Sequence, residues 1–519
     1  MRQFRWTGSD WQWCALVCAT FVLLLLINPL GYIGGGWDDW QYLEASRCWV
    51  DHGPCLPRTH WEGRWPVFVP IAAIVGLLGE SRTTVGLWPL LASISAIALL
   101  VLVGNRLVGR PVGWIAGLLL LVTPAFSIQI LDPSVEAIEL AFILGGVLCI
   151  LIWLERRSAW LALLAGLSFG LAFQVRETSL IAVVLTGLFV MTRRPRAIDI
   201  AAALAGFLSP LAVELITFGM ATGDPLFRRH LSLTHAQIPS SELPGSVDRS
   251  QSPFFNREFI ANWRHEPGVH AHWAIDGLLN LFINGKAGLS LALVPLLALA
   301  ERKRIVPEER RLLARLYGLA ILYAAILIYV FAMDPKARIM FPTLSATCTA
   351  FAIILNGFQR SKLRLLLITT GAVHVLVCLA ILFVHQRFDI AEQPARRWIA
   401  ALPGKIEIDP NTRRHLALVK EAKSLTGLDS DREFLIYNSS TPCDRWAQDS
   451  GFPNGALTAI DHAPTSRFER VASWRGAGLC LFRYNRPIGD MQLRAGIVRS
   501  RPDGVNILDP NIYRAPHQK

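Results

Sequence analysis

The sequence predicts an α-helical polytopic membrane protein carrying a small C-terminal α/β domain outside the membrane. Three observations lead there. Of the 519 residues, 52% are hydrophobic and only 17% charged, with a mean hydropathy of +0.38, too apolar for an ordinary soluble protein. Apolar runs close to the ~20 residues that a helix needs to cross a hydrocarbon core recur along three quarters of the chain. Basic residues then fall between alternate runs, as loop charges do. The net charge of +12 is therefore a membrane topology signal and implies no nucleic-acid partner.

The first ten residues hold Arg2 and Arg5 and no acid before Asp10, which places them in the cytoplasm. The first run, 13–30, lacks a small-residue cleavage site and reads as an uncleaved anchor. Residues 67–79 are apolar but short, flanked by Pro66 and Glu80, and read as an interfacial or re-entrant helix. Further spans are expected at 85–103, 112–130, 135–154, 160–175, 179–191, 198–217, 279–300, 312–333, 339–355 and 365–384. With the first run that makes about eleven.

Charge sets the sidedness. Arg106 and Arg110, Arg156 and Arg157, Arg193, Arg194 and Arg196, Arg302 to Arg304 with Arg310 and Arg311, and Arg360 to Arg364 all fall on one face if 67–79 does not span. That face is cytoplasmic by the positive-inside rule. The opposite face, expected to be periplasmic or otherwise outside, carries loops 34–84 and 219–286, Asp132 with Glu136, Arg176 with Glu177, and Asp334 to Arg338. From 387 onward charge, Pro and Gly rise, marking residues 387–519 as a separate domain after a membrane domain of 1–386. Strand-like runs at 433–437 and 479–484 and an amphipathic helix at 413–428 give it an α/β reading. An odd number of spans puts it outside. Cys48 with Cys55, and Cys443 with Cys480, could pair in an oxidising compartment, and no CxxC motif occurs.

The stretch that organises the chemistry follows the first run: Gly34-Gly35-Gly36-Trp37-Asp38-Asp39-Trp40-Gln41-Tyr42-Leu43-Glu44. Asp38, Tyr42 and Arg47 are spaced by four and five, so a short helix would carry them on a similar side. Solvated loop acids are the bland reading of such carboxylates. The functional reading is a polar cavity at the membrane surface, where an acid deprotonates a hydroxyl and Arg or Lys neutralises a phosphate leaving group. Arg176 lies between two short apolar runs with only Glu177 as charged company, either paired to it at a loop tip or functional. Arg228 and Arg229 would suit anionic headgroups. Trp37, Trp40, Trp49, Trp61 and Trp65 could stack on sugars or form an interfacial aromatic belt. His265, His270 and His272 gather in the second outer loop with no Cys or carboxylate to complete a metal site. Transporters and flippases place ionisable groups mid-span, whereas here most sit at span ends, with Glu139 and Glu214 as exceptions.

The segment Asp38-Asp39-Trp40-Gln41-Tyr42-Leu43-Glu44-Ala45-Ser46-Arg47 resembles the first outer-loop motif of C-type (GT-C) integral-membrane glycosyltransferases. The pattern is similar to the bacterial branch of the protein O-mannosyltransferase family, with its lipid A aminoarabinose and galacturonosyl transferases. His60 to Pro66, Gly104 to Arg110, Thr123-Pro124 with Asp132-Pro133, Gly170 to Glu177, Gly223 to Phe227 and Arg338 to Pro342 follow the family order. The resemblance covers roughly 10–360. It implies an inverting glycosyltransferase that moves a sugar from a polyprenyl-phosphate donor to an envelope acceptor (lipid A or core, polysaccharide or protein) at the outer face. Asp38 takes the place of the catalytic carboxylate, with Asp39 assisting, one methylene shorter than the family's usual Glu. Arg64, Arg176, Arg338 and Lys336 are the donor-phosphate candidates; Arg64 stands near a family lysine and would bind as a fork. Asp132, Glu44, Tyr42 and His270 are candidates for acceptor contact or support, although an Asp-Pro pair also simply starts helices. No cofactor is established by these residues, and a divalent metal is left open. The runner-up is a transporter or flippase of lipid-linked sugars.

Overall fold

The computed structural model describes residues 8–27, 37–233, 272–300, 302–303, 305–331, 333, 335–356 and 364–384, and four strands at 406–408, 434–439, 457–463 and 478–484. Helices dominate: α1 (Gly8–Ile27), α2 (Trp37–His52), α3 (Trp65–Leu78), α4 (Arg82–Leu107), α5 (Arg110–Val122), α6 (Pro124–Ser127), α7 (Val135–Arg156) and α8 (Ala159–Val175). They continue with α9 (Leu180–Met191), α10 (Ala197–Thr222), α11 (Phe227–Leu233), α12 (Trp273–Ile283), α13 (Ser290–Ala300), α14 (Pro307–Ala325), α15 (Phe341–Asn356) and α16 (Arg364–Val384). Five stretches are long and apolar enough to cross a membrane: Thr83–Leu107, Val135–Arg156, Ala197–Thr222, Pro307–Val330 and Ala337–Asn356. The protein is a polytopic α-helical membrane protein, and large apolar side chains such as Leu208, Val213, Ile216 and Leu376 face outward, as a lipid-facing surface requires.

Local chemistry fixes the helix ends. Ser81 caps α4 in a reciprocal box: its hydroxyl accepts from the Thr84 amide at 3.1 Å and its own amide donates to Thr84 Oγ1 at 2.8 Å. Gly223, at φ +75°, ends α10 in the left-handed conformation that glycine adopts without strain. Three expected spans are interrupted. The 112–130 run breaks at Thr123-Pro124, because proline cannot donate into the α5 ladder and restricts the residue before it. The 279–300 run splits into α12 and α13 around the Asn284–Gly288 turn, where Asn284 Oδ1 accepts from the Lys286 amide at 2.9 Å. The third, 312–333, starts earlier at Pro307 and leaves α14 through a π turn at Ile326–Val330.

The deep core brings α5, α7, α13, α14 and α15 together around residues such as Leu120, Leu140, Val294 and Phe351. α8 crosses α10 at backbone contact. Methyl groups added at Gly166, Gly170 or Gly206 would run into the Ala203, Phe207 and Leu163 carbonyls of the facing helix. Gly166 and Gly170 are four apart, the small-residue spacing that lets membrane helices touch through backbone.

Three of the basic clusters gather at one end of the bundle. Arg106 Nη1 donates to Glu155 at 2.7 Å, Arg157 Nη1 to the Arg193 carbonyl at 3.2 Å, and Arg196 to the Arg157 carbonyl. These contacts tie the α4, α7 and α9 C-termini to the α10 N-terminus. In the tail the two expected strands are present as β2 (Phe434–Ser439) and β4 (Gly478–Tyr484). They join β1 (Ile406–Ile408) and β3 (Leu457–Ala463) in a mixed sheet of order β1-β2-β4-β3, β1 parallel to β2 and the other pairs antiparallel. The expected helix at 413–428 lies outside the described residues.

Candidate functional site

The site lies at the end of the bundle opposite the basic loops. It is built from the first turn of α2, the residues entering α3, the N-terminal turns of α7, the C-terminus of α8 and the residues leading into α15.

α2 starts with Asp38 and Asp39 in its first turn, where the exposed amides of a helix N-terminus favour anions. Its apolar side, Tyr42, Leu43 and Ala45, packs on Val67, Phe68 and Ile71 of α3. Ser46 clamps the two helices, donating to the carbonyls of Tyr42 at 2.7 Å and Phe68 at 3.1 Å. Arg47 does not reach the site. It forks onto Glu80 at 2.7 and 2.9 Å and also holds Glu44 at 2.8 Å, so these charges brace the base of the helix. The disulfide between Cys48 and Cys55 closes the chain just beyond α2. Cys48, Cys55 and His52 have their ligand atoms within 4.8 Å, but the two sulfurs are bonded to each other rather than available to a metal. Cys480 is disulfide-bonded as well, and Cys443 lies outside the described residues.

Asp38 is partly open, its side chain 31% exposed, and Arg338 Nη2 stands 3.8 Å from its Oδ2. The same guanidinium lies 3.9 Å, through Nε, from Glu136 Oε1 in the first turn of α7, a carboxylate only 5% exposed. Arg338 is 39% exposed and comes from the 3-10 turn Ala337–Met340 that leads into α15. One arginine thus bridges a buried and an open carboxylate with separations longer than a hydrogen bond. Lys336 is half-buried at the residue before that turn, Asp39 is buried beside Asp38, and Asp132 is buried on the connection before α7.

Arg64, the residue before α3, donates from Nη1 to the Tyr42 hydroxyl at 2.7 Å. Tyr42 is fully buried, so it supports Arg64 from beneath and touches no acceptor, which corrects half of its expected role. Burial pushes the Tyr42 phenol above its ordinary range, with Asp38 and Glu136 adding to the rise and Arg64 opposing it; the phenol stays neutral. Burial disfavours the charge on Arg64, but Tyr42, Glu177 and Asp38 outweigh it and keep the guanidinium cationic. Its Nε is buried without a hydrogen-bond partner, and among the described residues Arg64 makes no ion pair. A cation hydrogen-bonded to a neutral phenol, with its acids Glu177 and Asp38 acting only from beyond ion-pair distance, is a guanidinium that an anion can approach.

Arg176 does not pair with Glu177. It caps α8 and turns to Glu139, 3.7 Å away, whose other oxygen accepts from Ser179 at 2.7 Å. Glu177 faces the other way, to Arg228 at 3.1 Å and Arg229 at 2.5 Å. Burial alone would raise the Glu177 carboxyl, but Arg228, Arg64 and Arg229 together hold it down at about 2. Arg228 is 1% exposed and therefore unavailable to lipid headgroups, against the expectation from sequence. It donates to Gln174 Oε1 and Glu214 Oε2, both at 2.6 Å, and to the Gln174 carbonyl at 2.9 Å. Arg229 reaches Glu214 at 3.2 Å and sits 4.9 Å over the Phe173 ring.

Sequence reasoning named Asp38, Arg64, Arg176 and Arg338, and the structure places all four at this end. It missed Glu136 and Gln174 as participants. Their only signal was position, one helical turn inside a predicted span end. The aromatics of the first outer loop pack locally: Trp49 lies edge-on to Phe68 at 5.4 Å and Trp61 lies 3.8 Å from His60, while Trp88 of α4 donates to the Pro66 carbonyl at 3.2 Å. His272 is used as a helix cap, accepting from the Ala274 amide at 3.3 Å, while His265 and His270 lie outside the described residues.

Residues 66–216 match the family model described as dolichyl-phosphate-mannose-protein mannosyltransferase. That segment runs from the start of α3 into α10 and holds Glu136, Glu139, Arg176, Glu177 and Glu214. No curated protein sequence matches the chain. Solved structures similar to it include ArnT from Cupriavidus metallidurans bound to undecaprenyl phosphate, with 13% identity over 92% of this chain and 98% of that one and a TM-score of 0.39. The oligosaccharyltransferase AglB from Archaeoglobus fulgidus, in complex with an inhibitory peptide and a dolichol-phosphate, is 11% identical over 82% of this chain and 69% of that one, with a TM-score of 0.46. The Archaeoglobus fulgidus enzyme tethered to an acceptor peptide is 11% identical over 88% and 73%, with a TM-score of 0.47.

Proposed function

We propose that this polytopic membrane protein, whose residues 66–216 match the mannosyltransferase family, is an inverting glycosyltransferase acting on a polyprenyl-phosphate sugar. The acceptor is a hydroxyl of the cell envelope, on lipid A or its core, a polysaccharide or a protein, and the site faces the periplasm or outside.

The observation that carries this reading is the open pair at the end of a buried charge cluster. Asp38 and Arg338 are the partly exposed members, 3.8 Å apart, too long for a hydrogen bond and loose enough for reactants to take over their partners. Asp38 accepts the proton of the acceptor hydroxyl as its oxygen attacks the anomeric carbon. The bond from that carbon to the phosphate oxygen breaks on the opposite face, and the polyprenyl phosphate leaves with the electron pair. Arginine neutralises the charge that develops there. Arg64 is suited to this task because its guanidinium is cationic, rests on a neutral phenol and keeps a buried Nε unpartnered. Arg338 serves the same anion from the Asp38 side, with Lys336 nearby in sequence. Asp39 and Asp132, both buried, shape the site rather than react.

Two features support the outward orientation. The basic clusters after α4, α7 and α9 meet at the opposite end of the bundle, and the Cys48–Cys55 disulfide beside α2 belongs in an oxidising compartment. Apart from Glu214 in the body of α10, the charges also sit at or near helix ends, which favours surface chemistry over a transport pathway.

The deciding experiment is transfer of labelled sugar from envelope polyprenyl phosphates, comparing wild type with Asp38→Asn at matched membrane levels. Loss of about 10²-fold or more of the product is expected, the scale of a missing general base. Undiminished transfer by the variant would remove Asp38 from the mechanism. Carboxylate-dependent movement of lipid-linked sugar across the membrane without a new glycosidic bond would instead make the protein a transporter.

A further inference from the structure

The buried arginine of α11 has no part in the chemistry above, yet its contacts lead straight to it. Arg228 is 1% exposed and its guanidinium is fixed by Gln174, Glu214 and Glu177. These partners come from three places: the C-terminus of α8, the body of α10 and the 3-10 turn that follows α8. An arginine held in this way cannot bind a lipid headgroup, and its rotamer is set along its whole length.

The stem of that side chain has a second contact. A Cβ placed on Gly63 would lie 2.9 Å from Arg228 Cγ and 3.0 Å from Cδ, closer than carbon atoms pack. Gly63 is glycine here because the Arg228 methylenes occupy the space a side chain would need. The next residue is Arg64, which reaches Tyr42 at 2.7 Å from a turn closed by Arg64 N to Trp61 O at 3.1 Å and Trp65 N to Gly63 O at 3.0 Å. Charge links the same groups, since Glu177 acts electrostatically on Arg64 as well as on Arg228 and Arg229. The turn that aims Arg64 thus rests on the Arg228 stem, and the Arg228 head is bolted to α8 and α10.

We infer that Arg228 is a positioning residue for the donor phosphate, fixing the Gly63–Arg64 turn so that the Arg64 guanidinium stands over Tyr42 in the orientation that receives the anion. Glu214 and Gln174 act through Arg228, as the groups that hold its head. This rests on the reading of Arg64 as a phosphate-binding residue.

The two levels separate if binding and transfer are measured on the same detergent-purified, full-length protein. The probe is undecaprenyl phosphate, titrated by tryptophan fluorescence, alongside the apparent KM for donor and for acceptor. Arg64→Gln tests the phosphate site itself and is expected to abolish binding. Arg228→Lys keeps the charge but loses the fork, and Gly63→Ala keeps every charged group while pressing on the stem. Both are expected to weaken undecaprenyl phosphate binding about tenfold, the scale at which outer partners of a metal ligand act. Donor KM rises in parallel and acceptor KM is unchanged. A purely structural role would lower folded yield and leave the affinity of the surviving protein intact. Unchanged affinity in both variants, with Arg64→Gln still defective, would overturn the role of Arg228 and leave the phosphate site standing. Full binding by Arg64→Gln, or none by wild type, would overturn the phosphate site and this inference with it. Should Arg228→Lys fail to accumulate, Gly63→Ala decides alone.

Discussion

At the scale of the residue, this protein handles charge by burying most of it and leaving a little open. Glu139 and Glu214 are buried and satisfied by arginine or serine partners, so removing those partners leaves an uncompensated buried ion, whereas Glu177 pairs with Arg228 and Arg229 at the half-open edge of the cluster. Tyr42→Phe removes the hydroxyl that Arg64 donates to while keeping the ring in its packed slot. A rise in donor KM of roughly tenfold or more, with little change in folded yield, is expected from steady-state transfer assays, since one hydrogen bond to a charged group is worth ~1.5–3 kcal/mol. Glu177 carries a pH signature. Its carboxyl is held down at about 2 in the folded protein against an ordinary value of 4.5, so its stabilising effect is complete above that ordinary value. The effect is lost as pH falls from there through about 2. Thermal unfolding in detergent should lose stability over that acid range in wild type, and Glu177→Gln should flatten that part of the profile while lowering the neutral-pH midpoint.

At the scale of the element, two devices set geometry. The first is the α8–α10 seam, where Gly166, Gly170 and Gly206 let backbone meet backbone. A side chain there must push the helices apart, and α8 ends in the Gln174–Arg176 segment that the site depends on. Gly206→Leu should destabilise by ~1–3 kcal/mol as an overpacking change, read as a lower unfolding temperature and lower membrane abundance. Gly187→Leu is the matched control, because a Cβ at Gly187 meets nothing within 4 Å. The second device is the Cys48–Cys55 disulfide, which closes a sequence separation of 7 at the end of α2. The loop-closure argument gives ~2–3 kcal/mol for so short a ring. Replacing both cysteines by serine should therefore lower the unfolding temperature measurably under non-reducing conditions.

At the scale of the whole molecule, the arrangement separates two kinds of charge by the thickness of the bundle. Arginine-rich turns joined through Arg106, Glu155, Arg157 and Arg193 lie at one end, and the mixed-sign cluster around Asp38 lies at the other. Membrane-impermeant maleimide should accordingly label Arg58→Cys from the outer side and Arg194→Cys only after the inner side is opened, in a background where Cys14 and Cys18 are serine. Labelling of both positions from the same side would overturn the topology.

Much of this was legible in the sequence because the signals are local. Apolar run length gave the helices, loop arginines gave the shared end of α4, α7 and α9, and the four-residue rhythm of Asp38 and Tyr42 gave α2. Short strand runs gave β2 and β4, but β1 and β3 were not visible, since three- to seven-residue segments with charged members carry little pattern of their own. The interruption of three apolar runs escaped because hydropathy averages across a single Thr-Pro or Asn-Gly step. At the site, the bland alternative of Arg176 paired with Glu177, and the reading of Arg228 as open to headgroups, both fail for one reason. Ion pairs are chosen by distance in space, and residues more than 50 apart, such as Gln174 and Arg228, outcompete neighbours once α8 and α11 meet. The chain by itself thus determined that this protein crosses the membrane many times, which way its basic loops group, and which acids and arginines lie near one face. Only the tertiary structure decided which of those charges are neutralised in the interior and which remain open to a substrate, because burial and pairing exist only after the helices have packed.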